Sequence, residues 1–216
     1  MVAWIGGDFG RHPGGQAVAA LFGHFDPKRA VHACFATNAD DGSRFYRKAA
    51  QECGTWTDAS RMTHLEIAAA IRAAGAHVLI DLAGLTSSNA IEVIAARPAP
   101  VIASYLGYAG TTANPGLQYI LTDRLATPPS AQAAFTERFV YLPTTFFVSS
   151  HAAMHANVDR VAASLPPDAG PATTDGDGGM WDGFLYCDFN RLVKIDASAF
   201  AAWMRILQEV EGCVTG

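Results

Sequence analysis

Along the first 150 positions, short apolar runs rich in β-branched residues alternate with Ala-rich windows of helical period. The runs predict strands at Val2 to Ile5, Val31 to Ala36, Val78 to Leu82, Val101 to Leu106, Tyr119 to Thr122 and Phe139 to Leu142. The windows between them predict helices at Gln16 to Phe22, Ser43 to Cys53, Leu65 to Ala74 and Asn89 to Ala96. Thr63 stands where the third helix needs an N-cap and Gly75 where it needs a stop. Strands and helices in alternation predict an α/β fold, a parallel sheet with crossover helices. Ligands of such sheets bind beyond the carboxyl ends of the strands, which puts the loops beginning at Gly6, Gly84 and Gly107 on one rim.

After Val148 the pattern breaks. The stretch His151 to Gly183, including ATTDGDGGM, carries too little side chain to fold tightly and reads as a linker or insertion. Order resumes with a strand at Phe184 to Cys187 and a helix from Ala197, capped by Asp196, with Phe200, Trp203, Met204 and Leu207 on one face. The expected division is therefore a lobe over 1–150, a linker over 151–183, and the start of a second lobe over 184–216. A lone strand and helix cannot close a core, so that second lobe is expected to be truncated.

Composition narrows the function classes. Half of the 216 residues are hydrophobic, enough for a sizeable core, and the net charge is -5. With only 15 Lys and Arg, the chain lacks the clustered cations that displace counterions from nucleic acid. No window is long and apolar enough for a membrane span, and Met1 leads into a strand rather than a signal sequence. The four cysteines, Cys34, Cys53, Cys187 and Cys213, form no CxxC pair and read as core thiols of a cytoplasmic or nucleocytoplasmic protein.

Several motifs fail on inspection. Gly10 to Gly15 has phosphate-loop spacing, but Gln16 and Ala17 replace the required Lys and Ser/Thr, and no GxGxxG occurs. Asp175 and Asp177 form a DxD triplet inside the Gly-rich stretch, where composition alone produces such triplets. His151 and His155 have ligand spacing without the glutamate of HExxH, so they read as a surface pair and no metal is expected. Two features remain: the small-residue loop GYAGTT after the Val101 strand, and Arg191 with Lys194 in a turn before a helix, where two cations and a helix N-terminus suit a diphosphate.

GGDFGRHPGG, ATNADDGSRFY, AHVLIDLAGLTSSNAIEVIAARPAP, YLGYAGTTANPGLQYILTDRLATPP, FTERFVYLPTTFFV and FLYCDFNRLVKID together resemble the catalytic region of glycosyltransferase family 41, the protein O-linked N-acetylglucosamine transferases. The resemblance implies a Rossmann-like lobe of a two-lobed GT-B enzyme that moves N-acetylglucosamine from UDP-GlcNAc to Ser/Thr hydroxyls of proteins, with inversion and without a metal or other cofactor. It implies His12 as general base near the acceptor, His77 as a second active-site histidine, and Lys194 as the cation neutralising the diphosphate. Arg191 falls where a glutamine contacts the sugar nucleotide, and Leu106 and Gly107 fall on the cleft wall. Arg191, Val193 and Ala109 depart from the family's usual Gln, Tyr and Pro. Two other readings stand beside this one: an inactive remnant or incomplete gene product, and a protein O-fucosyltransferase using GDP-fucose.

Overall fold

The computed structural model describes residues 1–155, 185–186, 188, 192–210 and 214–215. The chain divides into two compact units, Met1–Ala156 and Asn157–Gly216. In the first, β1 (Val2–Gly6), β2 (His32–Ala36), β3 (Thr55–Asp58), β4 (Val78–Asp81), β5 (Val101–Tyr105), β6 (Tyr119–Thr122) and β7 (Arg138–Tyr141) form one sheet in the order β3-β2-β1-β4-β5-β6-β7. Every pairing is parallel. The expected α/β architecture is therefore the observed one. The order reverses direction between β1 and β4, so the connections leaving their carboxyl ends diverge and open a crevice there.

Both faces of the sheet are covered, which is why the central strands read as nearly continuous apolar runs. One face buries Ile5, Leu79 and Ile102 against Ile67 and Ile71 of α3 (His64–Ala73) and Val93 of α4 (Ile91–Ala95). The other buries Trp4, Ile80 and Tyr105 with Val18 of α1 (Pro13–Val18) and Tyr46 of α2 (Arg44–Glu52). Thr63 caps α3 as expected, in a reciprocal box with Glu66 that satisfies two of the helix's otherwise orphaned amide donors. Ser43 caps α2 with a single bond, its Oγ accepting from the Tyr46 N–H at 3.1 Å.

Three local expectations are corrected. The edge strand β3 was not anticipated, because TWTD offers one large apolar residue and leaves both of its ends exposed. The first helix starts at Pro13 rather than Gln16 and ends at Val18, with a separate 3-10 turn at Phe22–His24. Cys34 and Cys53 are joined in a disulfide rather than being free thiols: β2 and the end of α2 return side by side and bring the two Cα atoms to 6.4 Å.

Beyond β7 the chain turns back across the sheet. Phe146 donates its N–H to Asp123 at 2.8 Å and accepts from the Tyr105 hydroxyl at 2.7 Å. Ser150, 3% exposed, accepts from the Ala20 N–H at 2.8 Å and donates to the Ala17 carbonyl at 2.7 Å, clasping the return segment to the end of α1. Of the expected linker, only residues 151–155 are described, as α5 (His151–Met154) and His155. The His155 ring lies against the Arg44 guanidinium, with Nη2 3.1 Å from Nε2.

The second unit contains β8 (Leu185–Tyr186), α6 (Ala197–Glu209) and β9 (Val214–Thr215), with β8 and β9 parallel. β9, two residues long, was not anticipated from the sequence. Asp196 caps α6 as expected, accepting from the Ala199 N–H at 2.8 Å. That bond, followed by one from Ser198, holds its carboxyl below the usual range. No helix among the described residues is long and apolar enough to cross a membrane.

Candidate active site

A cavity of about 230 Å³ opens at the switch point between β1 and β4. Gly6, Gly7, Asp8 and Phe9 form one wall as the chain leaves β1, and His12 with the first turn of α1 continues it. Leu82 closes the floor after β4; Leu106, Gly107 and Phe147 form the far side. Two of the three loops expected on one rim thus meet around a single space, and the third, at Gly84, abuts Tyr108 beside it.

Each wall is fixed by local chemistry. The loop after β1 is clamped by the segment after β2: Asn38 accepts from the Phe9 N–H at 3.1 Å and donates to the Phe9 carbonyl at 2.7 Å. Asp41 accepts from the Arg11 N–H at 2.8 Å, and bonds from Ser43 and Arg11 keep its carboxyl below the usual range. Gly15 lets α1 start flush against this loop, because a Cβ there would lie 2.2 Å from the Asp8 carbonyl oxygen. Asp81, 2% exposed, accepts from the Ala83 and Gly84 amides at 3.0 and 3.1 Å and so pins the loop after β4; burial pushes its carboxyl up.

The Leu106–Gly107 wall is backbone-strained. Leu106 has φ +71° at the centre of a three-residue turn closed by the Gly107 N–H on the Tyr105 carbonyl, 2.9 Å. Gly107 then passes so close to β4 that a Cβ would meet the Leu82 oxygen at 2.0 Å. Farther along, the loop is anchored by Glu137, 1% exposed, which accepts from the Thr111 hydroxyl and from the Thr112 hydroxyl and N–H at 2.7–2.8 Å. Burial opposes ionisation of Glu137, yet these bonds together hold its carboxyl below the usual value.

His12 is the N-cap of α1, with Nδ1 3.2 Å from the Gly14 N–H that it accepts. A neutral imidazole accepting at Nδ1 carries its proton on Nε2. Its side chain is 56% exposed, and Asp8 Oδ2 stands 3.6 Å from Nδ1, beyond hydrogen-bond distance. His77 is placed elsewhere. It precedes Val78, the first residue of β4, and its N–H and carbonyl bond Met1 and Val101, so it belongs to the amino edge of the sheet. The structure does not bring His77 to His12, because the two flank strands that run from one toward the other. Lys194 ends a 3-10 turn, Leu192–Lys194, ahead of α6 in the second unit and is exposed. Arg191, Asp175 and Asp177 lie outside the described residues.

Asp8 and Phe147 were missed as site residues. Asp8 carried a signal only as the acidic residue sharing one glycine-rich loop with His12. Phe147 carried none, because its place depends on the return segment after β7.

The family model for glycosyl transferase family 41 matches residues 1–175. The chain belongs to this family. Among curated relatives, an Arabidopsis thaliana protein named "Probable UDP-N-acetylglucosamine–peptide N-acetylglucosaminyltransferase SEC" is 29% identical over 97% of the chain and 21% of its own length. The Caenorhabditis elegans UDP-N-acetylglucosamine–peptide N-acetylglucosaminyltransferase is 34% identical over 71% of the chain and 13% of its own length. A mutant O-GlcNAc transferase of Thermobaculum terrenum has the same fold, with TM-score 0.77 at 23% identity, over 99% of this chain and 37% of that one. The family 41 chain described here thus spans about a fifth or less of the length of these curated relatives.

Proposed function

We propose that this chain carries the acceptor-side lobe of a protein O-GlcNAc transferase, which moves N-acetylglucosamine from UDP-GlcNAc to a Ser or Thr hydroxyl. The observation that carries this reading is the switch-point cavity, where His12 and the strained Leu106–Gly107 wall meet in a chain of family 41. Relatives of that family are named as UDP-GlcNAc–peptide transferases.

In this reaction the acceptor oxygen attacks the anomeric carbon, the bond from that carbon to the diphosphate breaks with inversion, and the electron pair leaves on the phosphate. Rate then depends on holding the hydroxyl in line and on stabilising the charge that grows on UDP. The cavity walls supply positioning, because the loops that form them are tied down by hydrogen bonds from Asn38, Asp81 and Glu137. Lys194 supplies the cation for the leaving diphosphate, and Arg191 is proposed to contact the sugar nucleotide beside it.

The test is transfer of N-acetylglucosamine to a Ser/Thr peptide by a protein containing this region, read as the mass added to the peptide, with GDP-fucose run in parallel. Mass gain from UDP-GlcNAc alone supports the reading. Gain from GDP-fucose alone replaces it with protein fucosylation, and gain from neither points to an inactive remnant. Within an active protein, Lys194→Ala is expected to lower kcat by roughly 100-fold or more; unchanged turnover removes Lys194 from the mechanism.

A further inference from the structure

We propose that Asp8 and His12 form a hydroxyl-reading pair in the cavity: His12 donates a hydrogen bond from Nε2 to a ligand oxygen, and the Asp8 carboxylate accepts from a ligand hydroxyl. The inference rests on the transferase reading for its ligand, a sugar pyranose, but not for its geometry.

The cap of α1 sets the hydrogen bonding of the His12 ring. A helix start leaves amide donors without partners, and at α1 the Gly14 N–H takes the Nδ1 lone pair of His12. That fixes the neutral ring with its proton on Nε2, so the nitrogen left for a ligand offers N–H rather than a lone pair. In this arrangement His12 is a donor and cannot take a proton from a hydroxyl at Nε2. The role that resemblance gives it, general base, conflicts with the job its other nitrogen already performs in the fold.

Asp8 supplies what His12 lacks. Its side chain lines the same cavity, is 25% exposed, and accepts no hydrogen bond among the described residues. Oδ2 lies 3.6 Å from Nδ1, but that nitrogen is occupied by Gly14, so both carboxylate oxygens keep lone pairs for a ligand. Among the described lining residues it is the one carboxylate, and apart from His12 its neighbours there are glycine backbone and apolar side chains. A donor and a carboxylate acceptor four positions apart on one loop suit a ring bearing neighbouring oxygens, each able to give or take a proton in a hydrogen bond.

Two measurements on the chain test this. First, long-range nitrogen–proton correlation of histidine-labelled protein at pH 8, with His12 assigned by the His12→Gln variant, is expected to show the Nε2–H tautomer. A ring protonated at Nδ1 overturns the proposal. Second, affinity is compared for UDP-GlcNAc and its 3-, 4- and 6-deoxy analogues. The unaltered chain is expected to lose roughly tenfold for at least one analogue, and Asp8→Asn to bind that analogue and the parent nearly alike. Discrimination retained in full by Asp8→Asn overturns the carboxylate's role, and so does failure to bind any of these sugar nucleotides. A chain that binds and discriminates as expected, inside a protein that transfers no sugar, leaves the pair standing and removes the transferase reading.

Discussion

The two edges of the first unit's sheet differ more than its two faces do. At the carboxyl edge the backbone is drawn away from its preferred conformations: Leu106 sits at positive φ, Gly15 and Gly107 touch neighbouring carbonyls, and the chain leaves an open cavity. At the amino edge strands begin in regular register, though Arg97 turns at φ +49° ahead of β5 and a second pocket lies beside Gln118 and Arg138. No histidine among the described residues borders that pocket, and His77 continues the ladder between Met1 and Val101. Strand direction separates them: β4, four residues long, carries the chain about 13 Å from one edge to the other. Two histidines that share an assignment by resemblance thus stand at opposite ends of the same strands, and only one borders the cavity. What distinguishes a site from a turn here is the set of constraints around it, not the residue type.

The carboxyl edge is most sensitive at Gly107. Gly107→Ala forces a methyl against the Leu82 carbonyl, and a loss of about 3 kcal/mol in unfolding free energy is expected by denaturant titration. A change under 0.5 kcal/mol would mean that the edge tolerates what the amino edge tolerates.

Glu137 comes next, since it ties the cavity loop to the start of β7. Glu137→Gln is expected to cost roughly 2 kcal/mol, because a buried amide cannot accept from Thr111 and Thr112 together without turning a donor toward one of them. Its pH signature has a definite sign. The folded carboxyl lies below its ordinary value of 4.5, so its contribution is complete above that value and fades as pH falls through the lower folded value. Asp81, raised by burial, contributes the opposite slope. Acid titration of Glu137→Gln should therefore be flatter than that of the unaltered chain below pH 4.5; superimposable curves would dismiss Glu137 as an anchor.

A smaller effect separates the histidines. His12→Ala is expected to weaken UDP-GlcNAc binding roughly tenfold, while His77→Ala leaves it within twofold. Equal losses in calorimetric titration would return His77 to the site. The smallest expected change is Thr63→Ala, about 1 kcal/mol from the lost cap of α3, with ligand affinity untouched.

Much of the fold was readable because its strands are buried on both faces. Val101 to Tyr105 and Val78 to Asp81 announce themselves by apolar continuity, and Thr63 and Asp196 by the capping chemistry that they perform. The strand Thr55–Asp58 was silent because an edge strand needs little apolar material. The early start of α1 was masked by Gly14 and Gly15, poor helix formers, of which Gly15 is required by its close approach to the Asp8 carbonyl. At the site, His12 and Leu106 were legible through motif resemblance. The edge on which His77 falls was legible too, since a residue ahead of a strand cannot reach its carboxyl end. The Cys34–Cys53 bond was not, because a sequence separation of 19 says nothing about which strand and helix end return together.

The Ser150 clasp has a consequence in the order of assembly. Its two bonds reach back 130 and 133 positions, to Ala20 and Ala17 at the end of α1, the helix whose first turn borders the cavity. On a ribosome, that helix emerges first and waits for the serine before its last amide and carbonyl are satisfied. Closing so long a loop costs entropy that only the assembled sheet repays. The wall that presents His12 is thus among the earliest parts of the unit to be synthesised and among the last to be locked.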